Sequence, residues 1–302
     1  MKTLKHILVL GKDGQVGQAV LSEFSPSPAF SVHAYARQDC DITDKQQVSS
    51  VIAQVNPDIV INCAAYTQVD LAEDNEVLAA EINAEGPSNI AQACAEHNAF
   101  LIHISTDYVF DGHSDRTYIE DDIPHPQSAY GRTKLLGEQA VLAHCPQSII
   151  LRTSWVFSAE SGNFLTTMLK LAQSHSDLNI VDDQFGGPTV ARDIALAILT
   201  VCQRYAESSE QSEQSEMRTG IYHFSGYPYV SWYEFADFIF TQLANFEKVP
   251  VVTPIPSSDY PQKATRPLNS CLSNHKISEH FAIQASDWRA AVTQIIQDKY
   301  KG

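Results

Sequence analysis

Residues 6–17, His6-Ile7-Leu8-Val9-Leu10-Gly11-Lys12-Asp13-Gly14-Gln15-Val16-Gly17, decide the fold. The first five are the short apolar run of a strand buried on both faces in a parallel sheet. Three glycines follow at once, spaced G-x-x-G-x-x-G. Apolar residues then recur at helical spacing at Val16, Val20, Leu21 and Phe24. Strand, glycine turn and helix in that order form the context of a dinucleotide site. Gly11, Gly14 and Gly17 permit a tight turn and a close approach of backbone to a pyrophosphate. The helix that opens at Gln15 and Val16 offers free N–H groups and a positive dipole end.

Further strands follow the first. Ser31–Ala36 reads as the second, and it ends without the acid that would bind the ribose hydroxyls of NAD. Arg37 follows instead, which points to tolerance of, or preference for, a 2′-phosphate. Asp39–Asp44 is a turn and helix cap, where Asp41 and Ile42 can also face an adenine. Val48–Val55 is helical and ends at Asn56-Pro57. Asp58–Ala65 is a buried strand whose small residues, Ala64 and Ala65, let a flat ligand approach. Glu73–His97 is helical in period, interrupted at Gly86-Pro87. Phe100–Ile104 is a strand that delivers Ser105, Thr106 and Asp107 to its C-terminal end, and Ser148–Phe157 is another. This alternation predicts an α/β fold with a doubly wound, Rossmann-like parallel sheet.

The second half is less regular. It reads as a helix over 163–175, a short strand at 179–181, a loop over 182–189 and a helix over 190–205. Residues 206–218 are rich in Ser, Glu and Gln and read as an exposed loop. A strand at 220–224, a helix at 231–246 and a last helix from about Asp287 to Tyr300 complete the chain. The division expected is residues 1–154 as the dinucleotide-binding domain and residues 155–302 as a smaller α/β substrate lobe. Parts of that lobe are free to return to the sheet.

The 302 residues carry 44% hydrophobic side chains, enough for a full core. No run of eighteen or more apolar residues occurs, so no membrane span is expected. The six cysteines show no metal-ligand spacing, which fits a reduced, cytoplasmic protein. A net charge of −16 argues against a nucleic-acid partner, so an anionic ligand has to be held locally.

Ser128-Ala129-Tyr130-Gly131-Arg132-Thr133-Lys134 places Tyr130 and Lys134 one helical turn apart on one face. A phenol titrates near ~10, and a cation held beside it would lower that value toward the range of general acid–base work.

Together, the glycine turn, Asn62-Cys63-Ala64-Ala65, residues 105–112 (STDYVFDG) and Tyr130-x-x-x-Lys134 resemble the extended short-chain dehydrogenase/reductase superfamily. Residues 152–157 (RTSWVF), 183–189 (DQFGGPT) and 266–270 (RPLNS) extend the likeness over nearly the whole chain. They make it most similar to the superfamily's dTDP-sugar reductases.

The resemblance implies NADPH- or NADH-dependent reduction of the C4 ketone of dTDP-4-dehydro-6-deoxy-L-mannose. It casts Tyr130 as proton donor, Lys134 as the holder of the nicotinamide ribose, and Thr106 as a hydrogen-bond donor to the sugar oxygen. Asp107 and Trp155 would contact the sugar. Gly14, Gln15 and Val16 would meet the pyrophosphate, Asp41 and Ile42 the adenine end, and Ala64, Ala65, Tyr66 and Thr67 the middle of the cofactor. Some relatives dimerise through a magnesium ion held by glutamates, one of them on the first helix. Here no acid precedes Glu23, so no such metal is expected, while a homodimer stays compatible with the sequence. Other members of the scaffold give three alternatives: reduction from the opposite face to a 6-deoxytalose nucleotide, a non-catalytic NADP-binding regulatory subunit, and an epimerase or dehydratase.

Overall fold

Six parallel strands form the central sheet: β1 (Lys5–Leu10), β2 (Phe30–Tyr35), β3 (Ile59–Asn62), β4 (Phe100–Thr106), β5 (Ser148–Thr153) and β6 (Gly220–His223). Their order is β6-β5-β4-β3-β1-β2. The structure is a computed structural model that describes residues 4–160, 162–210 and 217–301. β1 bonds to β2 on one side and β3 on the other. The winding therefore reverses at β1, and a crevice opens beyond the carboxyl ends of β1 and β3.

The longer helices are α1 (Gln15–Phe24), α2 (Lys45–Val55), α3 (Gly86–Glu96), α4 (Ala129–His144), α5 (Phe164–Ala172), α6 (Ala191–Glu210), α7 (Trp232–Leu243) and α8 (Trp288–Lys301). Alternate strand residues feed the two faces of the sheet. Ile7, Val9, Ile61 and Leu151 pack on Val20 and Phe24 of α1 and Ile194 and Ile198 of α6. Leu8, Leu10, Val60 and Ile150 pack on α2, α3 and α4 through Val48, Ile90 and Val141. This two-sided cover explains the unbroken apolar reading of β1. Each such side chain contributes about 1.5–3 kcal/mol by its burial.

A third core, around Phe157, Met168, Phe235, Ile239 and Trp288, builds the remaining lobe. Its parallel strand pair joins Asp177–Val181 to Val251–Ile255. Capping boxes start α5 (Asn163 with Thr166) and α7 (Ser231 with Glu234). Both α6 and β6 come from the second half of the chain, yet they join the sheet and its α1 face. No helix among the described residues is long and apolar enough to cross a membrane.

Three segments depart from the sequence reading. The expected strand 148–157 is broken: β5 stops at Thr153, Trp155 turns to φ +48°, and Val156–Phe157 pairs instead with Thr189–Val190. The expected break at Gly86-Pro87 is a helix start, where proline's missing N–H costs nothing. The irregularity lies one turn earlier, as a π-helical turn over Glu81–Glu85. The polar stretch read as a loop from Ala206 continues α6 to Glu210, because Tyr205 and Ala206 still pack on the core. Residues 211–216 of that stretch lie outside the described residues.

Candidate active site

Ser128 starts α4 by accepting the Gly131 N–H at 3.1 Å. A side chain at Gly131 would strike the Tyr108 carbonyl, so α4 lies directly against the segment that leaves β4. Tyr130 and Lys134 thereby face one cavity of about 480 Å³ beyond the carboxyl edge of the sheet. Gln15, Val16, Thr67, Thr106, Asp107 and Trp155 also line it. All the residues expected to act on a sugar ketone are thus brought together.

Thr106 closes β4 as a hub. Its hydroxyl accepts the Tyr108 N–H at 3.2 Å and donates to Asp107 Oδ1 at 3.1 Å. It is also hydrogen-bonded to the Tyr130 phenol. Asp107 is buried, and Ser270 donates to its Oδ2 from the lobe, 163 residues away. Burial pushes the Asp107 carboxyl up to about 6, against the pull of the Ser270 and Thr106 hydrogen bonds.

The Tyr130 phenol departs from expectation. Burial pushes its pKa above the ordinary value, the Thr106 hydrogen bond acts the other way, and the charges of Asp107 and Tyr108 raise it further. Lys134 is turned toward the sheet, where Nζ donates to the Ile104 carbonyl at 2.7 Å and lies 3.5 Å from His103 Nε2. In this geometry the lysine does not acidify the tyrosine. Beneath Lys134, Glu138 is clasped by Arg152 through two bonds of 2.9 and 2.7 Å, and Ser105 also donates to it.

A second cavity, about 240 Å³, opens beside the glycine turn. Gly11, at φ +82°, sits so close to Ala64 that a Cβ would lie 2.5 Å from its backbone nitrogen. Gly14 caps α1 with no side chain in the way and no acid in the first turn, which leaves N–H groups free for an anion. Arg37, Asp41, Ile42, Ala64 and Ala65 complete the wall, and Gly14 and Ala65 line both cavities. Burial alone would raise Asp41, but the Thr43 amide and hydroxyl and Arg37 hold its carboxyl below the usual range. Gly17 and Tyr66 stand outside both linings. Gly17 packs under the Gly11 carbonyl, and the Tyr66 backbone is gripped by Asn83. Glu23, the first acid on α1, accepts Arg192 Nε at 2.7 Å.

Several residues of this site had no role in the sequence reading. Asn83, wholly buried in the π turn, bonds Tyr66 at both N–H and carbonyl and also reaches Thr133 of α4. Trp232 stacks on Trp155 at 3.5 Å and 8°. Beyond that stack lies a third cavity of about 580 Å³, lined by Phe164, Met168, Gln184, Trp232, Tyr260 and Arg266. Arg266 bonds Asp70 at 2.8 Å and also meets the Tyr108 hydroxyl, while its Nε and the buried Gln184 Nε2 have no hydrogen-bond partner among the described residues. Helical period marks Asn83 and Trp232 only as polar or apolar positions, so no sequence signal separates them from scaffold.

The family model described as RmlD substrate binding domain matches residues 5–301. The dTDP-4-dehydrorhamnose reductase of Aggregatibacter actinomycetemcomitans is 41% identical over 295 residues, 97% of this chain and 98% of its own length. The solved dTDP-4-dehydrorhamnose reductase of Clostridium acetobutylicum superposes with a TM-score of 0.88 at 35% identity, covering 97% of this chain and 99% of that one. The Bacillus anthracis enzyme, solved in complex with NADP, gives 0.88 at 32% identity over 98% and 100% of the two chains.

Proposed function

The chain belongs to the RmlD substrate binding domain family, and from that premise we propose that it reduces dTDP-4-dehydro-6-deoxy-L-mannose to dTDP-L-rhamnose with NADPH or NADH. The observation that carries this is the convergence of Tyr130, Lys134, Thr106 and Asp107 on one cavity that shares walls with the glycine-turn cavity.

The residues present fit a dinucleotide: a cradle that a Cβ would fill at Gly11, an uncapped helix N-terminus, and a flat floor at Ala64 and Ala65. When bound, the reduced nicotinamide supplies the hydride. Lys134 and Thr67 would hold its ribose side, and Arg37, Asp41 and Ile42 the adenine side. Tyr130 gives its proton to the C4 oxygen as negative charge develops there. Its raised pKa keeps the phenol protonated at neutral pH, so the proton is in place when the ketone is reduced. With its one hydroxyl hydrogen turned from Asp107 to the same oxygen, Thr106 would steady its charge. Trp155, braced by Trp232, would wall the sugar. The third cavity, with an aromatic wall and with Arg266 Nε and Gln184 Nε2 that have no partner among the described residues, supports a nucleotide site beyond the indole stack. We read residues 155–302, apart from α6 and β6, which join the sheet, as the substrate lobe on that basis. Five buried free thiols support a reducing, cytoplasmic setting.

NADPH oxidation with the 4-keto sugar nucleotide, followed by NMR of the product, tests the reading. L-rhamnose configuration supports it, and a 6-deoxytalose product or oxidation no faster than background rejects it. Two finer expectations follow.

Arg37 is 71% exposed and only loosely paired with Asp41 at 3.3 Å, so it is free to swing to a 2′-phosphate. Arg37→Ala should raise KM for NADPH about tenfold or more and leave that for NADH nearly unchanged. Equal losses with both coenzymes would remove Arg37 from the phosphate.

Ser270→Ala deletes a hydrogen bond to the charged form of Asp107, so that carboxyl should titrate higher and the acid limb of kcat/KM should move upward from about 6. Because the folded pKa is already above the unfolded one, Asp107's contribution to stability falls as pH rises through about 4 to 6. An acid limb that stays in place in the variant would mean that Asp107 need not be ionised.

A further inference from the structure

Asn62, His103 and Lys134 form a buried line from the sheet to the cavity, at 1%, 0% and 2% exposure. Asn62 and His103 are register partners on the parallel strands β3 and β4. Asn62 Oδ1 accepts the Ala64 N–H at 3.1 Å. That contact sets the amide's orientation, because the reversed amide would point its NH2 at an N–H. The Asn62 NH2 therefore donates to His103 Nδ1, 3.0 Å away, and a ring nitrogen that accepts carries no proton. Burial, helped by the Lys134 charge, holds the imidazole pKa well below its ordinary value, so the ring is neutral. A neutral imidazole has one N–H. Here it must be on Nε2, the atom 3.5 Å from Lys134 Nζ.

We propose that His103 is a positioning residue for Lys134: its Nε2–H faces the amine nitrogen, opposes the ammonium form, and holds Lys134 close to the point where it changes charge. The inference deepens the reading above, on which Lys134 grips the coenzyme's ribose.

The other groups around the amine come from several elements. From α4, Glu138 favours the ammonium and Tyr130 shares the cavity. From β4, the Ile104 carbonyl takes one N–H, which either charge state can donate. From the end of β3, the Cys63 thiol stays neutral, pushed up to about 12 by burial. From β5, Arg152 occupies both Glu138 oxygens and so weakens their pull on Lys134. The balance leaves Lys134 lowered to about 8, with burial the largest cause. The grip on coenzyme should therefore weaken as pH rises through that value.

NADPH affinity of the full chain, titrated from about pH 7 to about pH 10, reads this directly. His103→Gln removes the fixed Nε2–H and leaves an amide whose oxygen can turn to the ammonium. The alkaline limb should then move upward by about one pH unit, so that near pH 9 the variant keeps about fivefold more of its neutral-pH affinity than the wild type. A limb that does not move, or moves down, overturns the proposal, as does a wild-type protein with no alkaline limb. Nitrogen NMR of His103 in the wild type gives a test independent of how the variant folds. The neutral Nε2–H tautomer is expected, and the Nδ1–H tautomer or an imidazolium overturns the proposal. A protein that shows the limb and the tautomer but never reduces the 4-keto sugar nucleotide would sink the reductase reading and leave this inference standing.

Discussion

Tyr130→Phe is expected to lower kcat by about two to four orders of magnitude, with coenzyme binding nearly unchanged. The substitution removes only the oxygen. The ring keeps its edge contact with Tyr108, at 5.4 Å between centroids and 77°, and Ser128 still caps α4. Thr106 can donate to the ketone oxygen but cannot protonate it as readily, since an aliphatic hydroxyl is a far weaker acid than a phenol. The loss should therefore fall on kcat and leave coenzyme affinity in place. Single-turnover kinetics with saturating NADPH would read it. A rate within about threefold of wild type would assign the proton to another group.

Arg152→Ala should destabilise the protein by about 3–5 kcal/mol. Arg152 and Glu138 are 1% and 2% exposed and joined by two bonds. Removing the guanidinium strands a carboxylate in the core with the Ser105 hydroxyl as its one remaining donor among the described residues. The same pair ties α4, which carries Tyr130 and Lys134, to β5 and β4, so catalysis should weaken before the protein unfolds. Urea denaturation measures the loss. A double variant, Arg152→Met with Glu138→Leu, should lose much less, because no buried charge is left over. A loss below about 1 kcal/mol in Arg152→Ala would mean that water reaches the pair.

The sheet was legible because strands buried on both faces read as unbroken apolar runs, and because Gly11-Lys12-Asp13-Gly14 separates β1 from α1 at the turn itself. Tyr130 and Lys134 were legible through helical spacing. Other features depend on contacts that no local pattern carries. Ser270 meets Asp107 across 163 residues of sequence. Asn83 sits in a turn whose widening has no glycine or proline inside it, and Pro87, the visible breaker, only opens the next helix. Trp155 adopts its positive φ because the indole must lie between Gly186 and Trp232. The polar run after Ala206 reads as loop by composition, yet its first turn is held by the core face of α6. The expected acidification of Tyr130 by Lys134 assumed that side chains one turn apart must meet. The Ile104 carbonyl draws the ammonium to the sheet instead.

A crystal structure with NADP⁺ and dTDP-L-rhamnose measures the central geometry most directly. The account predicts the Tyr130 hydroxyl about 2.6–3.2 Å from the sugar O4, Thr106 on the same oxygen, and the nucleotide beyond the Trp155–Trp232 stack. An O4 turned away from Tyr130 and held by another donor would contradict it.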